Sequence, residues 1–169
     1  MQAAEQINLE DSPPLLELEL PLASFAAEWK HCDRMASYIA RMVSVSRPDP
    51  QLTANLLSSA LNEVFETLFR LQDETPGRLA CRVSHPGMGE RVELFFPCAP
   101  ASRAFFRDAL TLATRPDIET LYIDALISEG PISPFAGLLE LVVDYGARLS
   151  LSETDAGLHL ILDLHLERA

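Results

Sequence analysis

The sequence predicts an α+β fold, a two-layer α/β sandwich whose sheet carries all of its helices on one face. Three observations predict it. Five stretches alternate apolar and polar residues with period two, so each strand is buried on one side only. Segments between them repeat their apolar residues at helical spacing. Two of the links, "HPGMGE" (85–90) and "TDAG" (154–157), are rich in Gly, Pro and Asp and close hairpins.

In "LLELEL" (15–20), Leu16, Leu18 and Leu20 share a face and Glu17 and Glu19 take the other. Residues 25–43, "FAAEWKHCDRMASYIARMV", read as one or two helices, with Trp29 as a core anchor for the first. The next helix, 50–71, opens with Asp49 as N-cap and Pro50 at its first position. "RLACRVSH" (78–85) sets Leu79, Cys81 and Val83 against Ala80, Arg82 and Ser84. "RVELFF" (91–96) sets Val92, Leu94 and Phe96 against Arg91 and Glu93. A turn centred near Gly87–Met88 places Arg82 across from Glu93.

Three helical patterns follow. "PASRAFFRDALTLATR" (100–115) is amphipathic, and "PDIETLYIDALIS" (116–128) begins with a helix-compatible Pro. "PFAGLLELVVDYG" (134–146) ends at Gly146, a natural C′ residue. The last hairpin pairs "ARLSLS", with Leu149 and Leu151 on one face, with "LHLILDLHLE", whose five leucines from Leu158 to Leu166 oppose His159, Ile161, Asp163, His165 and Glu167. Its turn brings Arg148 near Asp163. Each such cross-strand ion pair on the open face is worth roughly 0.2–1 kcal/mol.

At 169 residues one domain is expected, over 15–169, behind a flexible tail of residues 1–14. The tail, "MQAAEQINLEDSPP", is acidic and polar, unlike a secretory signal. No apolar run approaches the roughly 20 residues of a membrane span. A cytoplasmic protein without a membrane partner is the expectation. The net charge of −12, with Lys30 the only lysine, repels phosphate backbones and argues against a nucleic-acid partner. Cys32, Cys81 and Cys98 are odd in number, form no C-x-x-C pair, and read as core thiols.

The helix at 50–71 carries the candidate site. Leu57, Ala60, Leu61, Val64, Phe65 and Leu68 form its apolar stripe. Opposite run Asn55, Ser59, Asn62, Glu63, Glu66, Thr67 and Arg70. Glu63 and Thr67 are four apart and so neighbours, as are Glu66 and Arg70 in the favoured acid-first order.

With "LNEVFETLFR" in that helix, the chain resembles the GHKL ATPases, the fold of histidine-kinase catalytic domains and anti-sigma-factor serine kinases. The resemblance spans about residues 15–166 and implies a mixed five-stranded sheet. It places Glu63 at the acid of the E-x-x-x-N motif, which positions the attacking water or hydroxyl. It places Thr67 at the Asn that holds Mg²⁺ against the nucleotide. "RVELFF" resembles the strand before the first glycine box, and "PFAGLLELVVDYGARLSLS" the helix and strand after the second.

The departures set the expected function. Thr67 is a poorer, shorter Mg²⁺ ligand than Asn. Where D-x-G-x-G should stand, the chain has "PCAPAS". Near the lid only Gly130 and Gly137 remain, among prolines that remove N–H donors. No Lys or Arg lies between Arg115 and Arg148, a stretch that holds Asp117, Glu119, Asp124, Glu129, Glu140 and Asp144.

The expectation is therefore a non-catalytic regulatory, protein-binding module of bacterial signal transduction with a degenerate ATP-binding site, a pseudo-ATPase with no cofactor and no metal. The remnant pocket comprises Asn62, Glu63, Glu66, Thr67 and Gly137. The resemblance implies an anti-sigma antagonist, a sigma-like factor or a response regulator as partner. Two alternatives stand beside it: an active serine kinase binding ATP–Mg²⁺ and using Glu63, and a small-molecule sensor using the altered pocket.

Other constellations have plainer readings. His159, Asp163 and His165 share a strand face, but a metal needs three or four ligands with support behind them, and a wet sheet face is the simpler account. Cys98 and His85 lack a third, orienting group. Phe105, Phe106, Tyr122, Phe135 and Tyr145 read as core or pocket lining. Leu15, Phe95 and Ile161, on the open face, suit a homodimer or a partner.

Overall fold

The computed structural model describes residues 12–71 and 74–166. The expected tail falls mostly at residues 1–11, outside the described residues. The chain runs β1 (Pro14–Pro21), α1 (Leu22–Ala26), α2 (Lys30–Ser44), α3 (Pro50–Arg70), β2 (Arg78–Ser84), β3 (Glu90–Phe96), α4 (Pro100–Ala113), α5 (Ile118–Ile127), α6 (Ala136–Val143), β4 (Arg148–Thr154) and β5 (Gly157–Leu164). It is a two-layer α+β fold. None of the helices described is long and apolar enough to cross a membrane.

The sheet has the order β1-β2-β3-β5-β4, and every neighbouring pair is antiparallel. This corrects the expected mixed sheet, and the cause lies in the connections. Between β1 and β2 the chain goes out along α2 and back along α3. It returns to the end it left, where the Leu22 N–H donates to the Gly77 carbonyl (3.0 Å) and Pro21 pairs with Arg78. A single crossover helix would have delivered a parallel strand. The passage through α4–α6 does make β4 run in the direction of β3, but β5 lies between them.

The hairpin registers are those the turns imply. Arg82 pairs with Glu93 and Arg148 with Asp163. The ion pairs follow less closely. Arg82 Nε lies 3.9 Å from Glu93 and 3.4 Å from Glu17. Asp163 accepts from Arg91, not Arg148, at 2.7 and 3.1 Å.

The core fills the gap between the layers. Leu79, Cys81, Val83, Val92, Leu94, Phe96 and the even-numbered leucines of β5 meet Ile39, Val43, Leu57, Leu61, Val64, Phe65 and Phe106 from the helices. The strand alternation is thus the core pattern. Cys32 and Cys81 are buried free thiols, pushed up to about 11 and about 12 by burial. Cys98 is only half-buried.

Trp29 departs from the core role expected of it. It is 44% exposed, edge-on to Phe69 at 5.4 Å, with the Arg70 guanidinium 5.5 Å from its ring. The anchor of that region is Phe25, fully buried against Phe65.

Candidate functional site

Helix α3 is fixed at its start by Asp49, whose carboxylate accepts from the Leu52 N–H at 3.0 Å, with Pro50 at N1. Its apolar stripe, Leu57 to Leu68, is buried to the last residue. That sets its other face toward α6 and toward the Trp29 corner, and the candidate residues divide between the two.

Glu63, Thr67 and Gly137 come together between α3 and α6. A Cβ on Gly137 would stand 3.1 Å from Glu63 Oε2 and 3.2 Å from Thr67 Oγ1. The bare glycine lets α6 lie against α3 at this point. Thr67 is 3% exposed, and its hydroxyl donates to the Glu63 backbone carbonyl at 2.9 Å. It is an internal packing residue, not part of a wet face.

Asn62 and Glu66 turn the other way. Asn62 Nδ2 donates to Glu66 Oε1 at 2.8 Å, and Arg70 donates to Glu66 Oε2 at 3.2 Å. These three form a ladder along one side of α3, leading to the Trp29 ring.

The electrostatics are those of crowded carboxylates. Burial, then Glu140, then Glu66 push Glu63 up to about 7, with Arg70 opposing. Glu140 is also raised, by burial first and then by Asp144 and Glu66. The Tyr122 hydroxyl donates to Asp144 at 3.2 Å, and burial with the surrounding carboxylates pushes it up to about 12. Tyr145 is raised by burial, against a hydrogen bond with Ser59. Neither Glu140 nor Tyr122 belongs to the five-residue remnant pocket, although the sequence places Tyr122 among the core or pocket-lining aromatics. Glu140, one of the acids between Arg115 and Arg148, stands three residues after Gly137 on the same helix.

Toward α4 aromatic rings pack against one another among the described residues. Phe135 stacks on Phe105 at 4.8 Å, and Phe106 packs on Phe96 at 5.5 Å. The cavity lined by Leu68, Leu71, Phe96, Pro97, Cys98, Ser102 and Phe106 holds about 10 Å³, room for at most one water.

No family model matches the chain. No curated protein and no solved structure matches it either.

The other constellations separate. His159 lies 3.1 Å from Glu93 and stacks on Phe95 at 3.8 Å, while Asp163 pairs with Arg91. Among the described residues, no three His, Cys, Asp or Glu side chains are grouped to hold a metal ion. His85 and Cys98 flank opposite ends of the β2–β3 hairpin, roughly 20 Å apart by strand rise. The structure adds one feature the sequence did not suggest. Arg47 and Glu90, 9% and 4% exposed, form an ion pair at 2.8 Å, with His85 Nδ1 3.7 Å from the same carboxylate.

Proposed function

We propose that this chain is a non-catalytic, protein-binding regulatory module of bacterial signalling, on a histidine-kinase-like frame whose nucleotide pocket is closed. The element order supports the frame: a strand, helices ending in a long one, a hairpin, three helices and a second hairpin. The observation that carries the reading is the contact of Gly137 with Glu63 and Thr67. In the resembling family, the residues aligned with Glu63 and Thr67 face nucleotide and Mg²⁺. Here α6 lies on them, the Thr67 hydroxyl is engaged by its own helix, and Phe135 stacks on Phe105 beside them. Glu140 and Asp144 add a field that repels a polyphosphate. By the resemblance, the partner belongs to the antagonists, sigma-like factors or response regulators of such pathways.

One observation favours a second reading, an active serine kinase. Glu63, held near 7, has the proton affinity of a general base. A titration with ATP–Mg²⁺ followed by melting temperature separates the two. The closed pocket predicts no shift at millimolar nucleotide. A rise of several degrees, lost in Glu63→Ala, would establish the kinase reading in its place.

A further inference from the structure

Helix α5 is apolar on two sides, and the described residues cover only one of them. Ile118, Leu121, Tyr122 and Ala125, spaced i, i+3, i+4, i+7, are half-buried, on the helix whose main neighbour is α6. Ile123, Leu126 and Ile127, spaced i, i+3, i+4, are exposed, Ile127 at 73%. No residue of α5 is fully buried. Ile132, in the loop that follows, is exposed as well. An apolar row of this kind on a helix with its other side already packed marks an interaction surface.

The charge around the row is of one sign. Asp117 is neutralised by Arg115 in a two-pronged pair at 2.8 and 2.9 Å. Glu119, Asp124 and Glu129 are exposed and have no ion-pair partner among the described residues. No Lys, Arg or His occurs from 116 to 147.

We infer that the exposed row of α5 is the docking site for a cationic amphipathic helix of a partner protein. The row offers an apolar stripe against which such a helix's own apolar stripe can pack, and the unmatched carboxylates match its flanking Lys and Arg. A second copy of this chain would set the same carboxylates against themselves, at −12 per chain. An anionic membrane surface would be repelled likewise. The inference deepens the proposed function and rests on the chain's being a binding module.

The test uses the full chain and three labelled peptides: a Leu/Lys amphipathic helix, its Leu/Glu counterpart, and a Leu/Lys scramble without the i, i+3, i+4 spacing. Fluorescence anisotropy is expected to show binding of the first alone, weakening with salt. Ile123→Ser with Ile127→Ser, which keep every charge, should weaken it tenfold or more. Glu119→Gln with Asp124→Asn and Glu129→Gln should weaken it and flatten its salt dependence. Circular dichroism confirms folding, and if the serine pair unfolds the charge triple decides alone. Equal binding by the scramble, insensitivity to the serine pair, or no binding would overturn the inference. So would a concentration-dependent dimer in sedimentation that Ile127→Ser disperses, because a second copy would then occupy the row. The ATP–Mg²⁺ titration is independent. Nucleotide binding with the peptide result intact removes the pseudo-ATPase reading alone, and peptide failure without nucleotide binding removes this surface alone.

Discussion

Gly137 of α6 stands against Glu63 of α3, so close that a β-carbon would approach Glu63 Oε2 to 3.1 Å. The neighbouring Thr67 hydroxyl, at 3.2 Å, leaves little slack on the other side. Gly137 is therefore a tight point in the packing of α6 on α3.

Two opposing terms act on Gly137→Ala. Alanine favours the helix, by less than the roughly 1 kcal/mol of an interior position because Gly137 is the second residue of α6, and the Glu63 side chain can give by a few tenths of an ångström. The expected net change is within about 1 kcal/mol. Gly137→Leu has no room and should destabilise by about 1–3 kcal/mol through overpacking. Urea unfolding of the two variants checks the contrast, and equal stabilities would show that α6 moves freely on α3.

Glu63 sets a pH dependence. Its folded-state value, about 7, lies above the ordinary value of 4.5. The folded chain thus binds more protons between those values, and stability falls as pH rises through about 7. Its contribution is fully present below the unfolded value. Glu63→Gln, which keeps the shape and removes the charge, should melt higher than the wild type at pH 8 and equal it at pH 4. Allowing for solvent screening of a partly exposed carboxyl, the difference at pH 8 should be about 2–4 °C. Melting curves at the two pH values check it.

Arg47 and Glu90 form a buried pair, so breaking it is costly and replacing it whole is not. Glu90→Leu leaves a buried guanidinium unpaired and should destabilise by about 3–5 kcal/mol. Adding Arg47→Met should recover much of that loss. A double-mutant cycle by urea unfolding measures the coupling, and simple additivity would show the pair to be solvent-relaxed.

Thr67→Asn installs the residue that the proposed resemblance implies at this position. At a site 3% exposed, the larger side chain should destabilise by about 1–3 kcal/mol and confer no nucleotide-dependent melting shift. A gain of several degrees with ATP–Mg²⁺ would show that only the ligand residue, and not the pocket, had been lost.

The strands were legible because a one-sided sheet writes its period into the sequence: Leu79, Cys81 and Val83 alternate with Ala80 and Arg82, and burial follows that alternation. The Arg82–Glu93 pairing was legible because a short turn fixes register. The start of α3 was legible because Asp49 and Pro50 act locally. The candidate site was legible only in part. Helical spacing put Glu63 beside Thr67, but it could not say that α6 would cover both.

By itself the sequence determined most of the elements, their order, the buried face of each strand and the acidity of the surface, because these depend on neighbours one to four residues apart. Only the tertiary structure decided that all the strands pair antiparallel, that Thr67 is buried while Trp29 is not, and that the second apolar row of α5 faces outward. Each of these depends on which distant segment arrives alongside: α3 returning the chain to Gly77, Gly137 admitting α6 against Glu63, and no element of the described residues lying over Ile127. Apolar residues state that they can be buried, and only the packed fold states which of them are.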